Sequence, residues 1–257
     1  MPQKVSITSY TILRNRFRRT KILKDLFNEL RTLAQVNGID LFGVANLKDQ
    51  QTNKLIMQQG GEHVAQYPRA VSIACRLLDS VVDELYRHEE PSVIYTYRGL
   101  YDSVNNTLDK AAFLIAKDLQ SRGYKAYPIP ASQTTNPRKL ESAFSHKLAA
   151  NLAGLGWIGK NCLLITPEYG PRIRLSTVLT NADLKAGTQL PNRCGDCGDC
   201  IEACPPKAFT GVPFDPSEPR DVRFRAHICR DYTQRRAQQL GEGICGLCVY
   251  SCPFGKS

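Results

Sequence analysis

A run of four cysteines closes on proline in Cys194-Gly195-Asp196-Cys197-Gly198-Asp199-Cys200-Ile201-Glu202-Ala203-Cys204-Pro205. The first three thiols are two residues apart, a spacing that lets one tight loop wrap a single iron–sulfur cubane. The fourth comes three residues later with proline behind it, and that offset points it toward a second cluster. A second set supplies the remaining ligands: Cys229, then Cys245, Cys248 and Cys252, the last again followed by proline at 253.

This is the ligand run of bacterial two-cluster ferredoxins, and their crossed pattern assigns the cysteines. Cys194, Cys197, Cys200 and Cys252 hold one 4Fe–4S cluster; Cys204, Cys229, Cys245 and Cys248 hold the other. Paired zinc sites are the competing reading, but zinc knuckles are built from C-x2-C pairs, and a triple run ending in Cys-Pro is unusual for them. A disulfide framework belongs to small secreted chains, whereas residues 1–30 are polar and basic with no apolar segment of the signal-peptide kind. The Arg18-Arg19 pair resembles an export signal only superficially, because Asp25, Asn28, Glu29 and Arg31 interrupt what would be its apolar part. The expectation is a cytoplasmic electron-relay protein.

Working outward, the chain has 257 residues, 42% of them apolar and 23% charged, enough for a real core in one large domain or two smaller ones. No stretch approaches the roughly 18 uninterrupted apolar residues of a membrane helix, so no membrane association is expected. The net charge of +10 is local: residues 1–31 carry eight basic and two acidic groups. Such an arm can contact phosphate or an acidic partner, but it lacks interleaved aromatic platforms for nucleic acid.

Apolar periodicity predicts a helix over 21–37 stopped by Gly38, strands over 39–45 and 70–75, and a long helix over 101–120 closed by Gly123. A strand follows at 124–129, where Pro128 suggests a sheet edge. A helix is expected over 139–153, then a hairpin of 161–166 with 172–180 around Pro167-Glu168-Tyr169-Gly170. Helices and strands alternate, so residues 1–190 are expected to form one α/β layered domain, with 181–193 as a linker and residues 191–257 as a ferredoxin-like domain. Cys75 and Cys162, outside the cysteine-rich end, read as packing residues.

Gly154-Leu155-Gly156-Trp157-Ile158-Gly159-Lys160-Asn161 matches the dinucleotide-binding glycine pattern, and the P-loop pattern up to its last position. Both need a strand before the loop and a helix after it. Here a predicted helix precedes and a predicted strand follows, so neither site is expected. The loop still offers backbone amides, a lysine and the chain's one tryptophan, and is a candidate cofactor-contacting loop.

Together with the Leu-Leu-Ile strand that follows the loop, Pro167-Glu168-Tyr169-Gly170, Gly38-Ile39-Asp40-Leu41-Phe42-Gly43-Val44-Ala45 and the two cysteine sets, this loop resembles the epoxyqueuosine reductase family. The resemblance covers residues 21–255 and extends to the related reductive dehalogenases. It implies an α+β fold: a nitroreductase-like domain that binds cobalamin, followed by a two-cluster ferredoxin module whose electrons reach the corrin cobalt. It also implies an external low-potential electron donor of ferredoxin or flavodoxin type, and a small-molecule or nucleoside-like substrate. The chain departs from the family in three places. Arg98-Gly99-Leu100-Tyr101-Asp102 puts Tyr101 where the family has its proton-donating aspartate, with Asp102 one residue later. Glu141-Ser142-Ala143-Phe144-Ser145-His146-Lys147 replaces an Asp-Thr-Ala-Pro-like stretch. The helical repeats associated with tRNA binding do not follow Cys252, which describes a compact paralogue.

The candidate site residues follow. Asp102 or Tyr101 is the expected proton donor, although an acid at a helix start also suits the helix dipole. Gly154, Gly156, Trp157, Gly159, Lys160 and His146 are the expected cofactor-binding residues. No histidine carries an aspartate two positions before it, so cobalt is not expected to be held by an Asp-x-His-x-x-Gly motif. The competing readings are an electron-transfer module feeding a partner protein, a flavin reductase using FMN in place of cobalamin, and action on tRNA, which rests on the basic arm alone.

Overall fold

The computed structural model describes residue 23 and residues 25–256. Lys4, Arg14, Arg16, Arg18, Arg19, Lys21 and Lys24 of the basic arm lie outside the described residues. Helix α1 (25–35) buries Leu26, Leu30 and Ala34, spaced one turn apart, and ends before Gly38, whose φ of 83° continues no helix. Strand β1 (Leu41–Asn46) follows. Helix α2 (Gln50–Gly60) starts at Asp49, whose carboxylate accepts from the Thr52 amide at 2.8 Å, and α3 (Glu62–Ala65) is a single turn. Strand β2 (Arg69–Arg76), the short helix α4 (Asp79–Asp83) and the long helix α5 (Pro91–Ser121) come next. Then come β3 (Ala126–Ile129), α6 (His146–Leu152), β4 (Trp157–Ile158), β5 (Leu164–Ile165) and β6 (Ile173–Thr180). The cysteine-rich end contributes α7 (Asp199–Glu202), α8 (Ala226–Leu240) and α9 (Leu247–Tyr250).

The main sheet runs β1-β2-β6-β3 with every neighbouring pair antiparallel. Both of its faces are covered, and alternation along β2 sorts the side chains. Val71, Ile73 and Cys75 join the core that holds Leu108, Ala112 and Ile115 of α5. Ala70 and Ala74 join the smaller cores built around Ala149, Ala150 and Ala153 at α6. The alanines leave room for α6 to sit close on that face. Pro128 lies in β3, which pairs with β6 alone, so its missing N–H costs no ladder bond on the open edge.

Four expectations change. Helix α5 begins at Pro91, ten residues before the predicted start, because proline suits the first helical position and Ile94 and Tyr97 are buried by tertiary packing. The segment 139–145 is not helical; α6 starts after Ser145, whose hydroxyl accepts from the Leu148 amide at 3.3 Å. The 161–166/172–180 hairpin does not form. β5 pairs with β4 across the glycine loop, and β6 inserts between β2 and β3 in the main sheet. Finally, 181–193 is a packed strap: Ala182 and Leu184 are buried, and the Gly187 amide donates to the Val44 carbonyl at 2.8 Å.

The strap and the β4–β5 pair explain the glycine loop. A methyl group on Gly156 would run into the Ile165 carbonyl, and one on Gly154 into the Thr188 carbonyl. These glycines allow backbone to approach backbone. Gly156→Ala is therefore expected to cost about 2 kcal/mol by overpacking, lowering the melting temperature of the cluster-loaded protein by roughly 4–8 °C in a calorimetric scan. An unchanged melting temperature would show that the loop yields freely.

Candidate functional site

The eight cysteines of the C-terminal part come together in two sets. Burial first, then the neighbouring Cys252, Cys194 and Cys197, pushes the Cys200 thiol up to about 12. Burial, then Cys204 and Cys245, pushes Cys229 up to about 11. Cys248 is raised by burial and then by Cys245, Cys229 and Cys204, with a smaller effect from Cys200 of the other set. Mutual repulsion thus groups 194, 197, 200 and 252 apart from 204, 229, 245 and 248, the grouping of the crossed assignment.

A lone zinc ion needs its thiolates at about 2.3 Å from one centre. Among the described residues no three His, Cys, Asp or Glu side chains are gathered tightly enough to hold a single metal ion. The Trp157 indole N–H and the Ser251 hydroxyl are buried without a protein partner, and Trp157 packs in the same apolar cluster as Cys252. Donors of that kind fit beside cluster sulfur.

The glycine loop leads into this region. The Lys160 ammonium donates to the carbonyls of Gly195 at 2.7 Å and Cys197 at 3.0 Å, inside the first cysteine set. The Asn161 amide donates to the Cys248 carbonyl at 3.1 Å, inside the second. The Trp157 ring meets Phe254 edge-on, with centroids 4.9 Å apart.

A cavity of about 710 Å³ is lined by Cys248 of the second set, by Val249 and by residues of β6, α6 and α5. That volume is within the range of small-molecule sites. Of the expected cofactor-binding residues, His146 lines this cavity, whereas Gly154, Gly156, Trp157, Gly159 and Lys160 are placed behind it, against the strap and the first cysteine set.

His146 is fully engaged. Its Nε2 lies 2.9 Å from the Pro130 carbonyl, which only accepts, so Nε2 carries the proton and Nδ1 accepts from the Thr177 hydroxyl at 2.8 Å. Burial lowers its pKa to about 4, and the ring is neutral near pH 7. Neither nitrogen is free to bind cobalt.

Tyr101 and Asp102 separate. On α5, Tyr97, Tyr101 and Asn105 lie one turn apart on one face. Arg174 of β6 stacks 3.8 Å over the Tyr101 ring and donates from Nε to Asn105 at 3.0 Å. Tyr97, Tyr101 and Arg174 all line the cavity. Asp102 points to solvent, 59% exposed and 3.8 Å from Arg98 one turn back. It sits in the fourth turn of α5, so the helix-start explanation for it does not apply. Sequence reasoning missed Arg174, Lys147 and Arg223 on the cavity wall, which no motif marks. Cys162, expected only to pack, is in the tight β4–β5 turn at φ 54° and also lines the cavity.

Residues 193–255 match the family model of the 4Fe-4S double cluster binding domain. Over 118 residues the chain is 41% identical to an epoxyqueuosine reductase of Gloeobacter violaceus, covering 42% of this chain and 35% of that protein. An epoxyqueuosine reductase of Atelocyanobacterium thalassa is 31% identical over 156 residues, covering 59% of this chain and 48% of that one. The matched region therefore spans less than half the length of these relatives. An epoxyqueuosine reductase solved with a tRNA-Tyr epoxyqueuosine-modified stem loop superposes with a TM-score of 0.56 at 20% identity, over 91% of this chain and 66% of that one. A catabolic reductive dehalogenase in complex with 3-bromo-4-hydroxybenzoic acid gives 0.67 at 18%, over 89% of this chain and 31% of that one. The resemblance read from the motifs holds, and the mixed helix-and-sheet fold is shared. Among the described residues no helix is long and apolar enough to cross a membrane.

Two outcomes are expected. Cys248→Ser should remove about four irons per chain and leave the EPR signal of the other cluster, whereas loss of both signals would mean that the two sets do not load independently. His146 binds protons more weakly folded than unfolded, so the unfolded state takes up more protons between pH 6.5 and about 4. Stability should fall as pH drops through that window by up to about 1.4 kcal/mol per pH unit. His146→Asn should flatten that slope in melts of the cluster-loaded protein.

Proposed function

We propose that this chain is an iron–sulfur reductase of the epoxyqueuosine reductase type, passing single electrons through two 4Fe–4S clusters to cobalamin in the cavity beside Cys248. The observation that carries this reading is the position of Cys248. It belongs to the second cysteine set and also lines the cavity that Tyr101 and Arg174 line. An electron arriving at that set is delivered to whatever the cavity holds. Cobalamin, when bound, supplies a cobalt centre that attacks or reduces the substrate. The residues placed to hold it are apolar groups of the lining, Ile158, Leu164, Leu175, Phe214 and Val249. His146 contributes as a wall, since both ring nitrogens are occupied.

Tyr101 is the proton donor of this proposal. A carbon centre that accepts electrons must be protonated, and of the two candidate donors the cavity is lined by Tyr101 alone. Arg174 stacks over its ring, and Asn105 holds Arg174 in place. Asp102 serves an exposed ion pair instead. The substrate is a small or nucleoside-like molecule. The electron donor is an external low-potential protein. FMN in the same cavity is the alternative, and the spectrum of the protein as isolated separates the two.

The test is anaerobic purification and cluster reconstitution, followed by addition of hydroxocobalamin, gel filtration and EPR. A retained cobalt(II) corrin signal is expected, and its absence would end the cobalamin reading. With epoxyqueuosine nucleoside as trial substrate, Tyr101→Phe should lower turnover by about 10²–10⁴-fold and Asp102→Asn by less than about threefold. The reverse order would exchange their roles.

A further inference from the structure

Three arginines of the described residues are almost wholly buried: Arg172, Arg223 and Arg236. Buried charge is tolerated when it is paired. Arg172 donates to Asp79 at 3.0 Å and Asp83 at 2.6 Å, and Arg236 donates to Glu89 at 2.7 Å. Arg223, 6% exposed, makes no ion pair with a carboxylate among the described residues. One Nη donates to the Asp215 backbone carbonyl at 2.6 Å, its plane stacks on Phe214, and its Nε is buried with no partner. The Asp215 carboxylate feels its charge but accepts from the amide and hydroxyl of Ser217.

Arg223 lines the cavity, and so does Lys147. The Lys147 ammonium donates to the Cys162 carbonyl at 2.5 Å and makes no ion pair with a carboxylate among the described residues. Burial lowers its pKa, Cys162 works against that, and the charges of Arg220 and Arg223 lower it further. Arg220 spends its guanidinium on the carbonyls of Leu140 and Lys139 and on Asp221. Glu141 and Glu218 share the cavity without closing on Lys147 or Arg223.

We propose that Lys147 and Arg223 form a subsite for a phosphate group on the ligand that the cavity takes. The planar arginine fork and the lysine point charge are the pair that recognises such an oxyanion, and its charge offsets their repulsion. This rests on the cavity being a ligand site, as proposed above, and adds a charged group to what enters it. The phosphate belongs either to the nucleotide loop of a corrin or to the substrate.

The test is calorimetric titration of the cluster-loaded protein with inorganic phosphate, at constant ionic strength and without corrin or turnover, so it stands or falls separately from the reductase reading. Saturable binding is expected, weakened at least tenfold in both Arg223→Gln and Lys147→Gln and unchanged in the exposed control Arg225→Gln. Using Lys147→Gln covers the case in which Arg223→Gln fails to load clusters. Competition by hydroxocobalamin but not by cobinamide, which lacks the nucleotide loop, assigns the subsite to the corrin; no competition by either assigns it to the substrate. Absence of saturable phosphate binding would overturn the proposal. So would variants that bind phosphate like the wild type, or variants that shift cluster reduction potential while the wild type binds no phosphate, since the cations would then serve the neighbouring cluster.

Discussion

Two adjacent side chains, Lys160 and Asn161, hold the cysteine-rich end in register with the sheet domain. Lys160 reaches the turn of the first cysteine set, and Asn161 reaches the carbonyl of Cys248 in the second. Each donates to backbone carbonyls of the cysteine-rich end. Both are presented by the turn between β4 and β5, which closes only because Gly156 lets the two strands touch backbone to backbone. The spacing of the two sets from the cavity therefore depends on a turn of a few residues. Arg236, donating to Glu89 and to the His88 carbonyl, provides a second tie from α8.

The length of α5 complements that anchor. Because it starts at Pro91, Tyr97 is carried well inside the helix and lies against Gly246, beside Cys245, while Tyr101 and Asn105 reach β6. A glycine is needed at 246, since its φ of 81° is left-handed and a side chain there would meet the Tyr97 ring. One helix face thus spans from the second cysteine set to the edge of the cavity, and rigid elements position such groups better than loops do.

Much of this was legible in the sequence, and unevenly so. The cysteine spacing reports local loop geometry, so the two sets could be assigned before any fold was known. The strands of the main sheet stood out as short β-branched and apolar stretches bounded by turn residues, although both β2 and β6 also bury polar side chains. Pairing was a different matter: 172–180 sits near 161–166 in sequence, but β6 is buried between two other strands, polar Ser176 and Thr177 included, which is a tertiary demand. The start of α5 carried a signal, Glu90-Pro91, because proline suits the first helical position. The glycine motif misled about role, because glycines that admit a phosphate and glycines that admit a neighbouring backbone are identical in one dimension. Arg174, Lys147 and Arg223 meet only through folding, from β6, α6 and the turn before α8, and no local pattern could have joined them.

The two cysteine sets differ in their surroundings. The turn around the first exposes Gly195, Asp196 and Asp199 at the surface, whereas the second backs onto the cavity. The molecule therefore has a front door and a back door. On the proposed reading, the protein that brings reducing equivalents and the molecule that receives them never compete for the same surface, and both can be held at once. Such an arrangement favours a ternary complex over an alternating, one-at-a-time cycle, and the protein can be recharged without first releasing what it is working on.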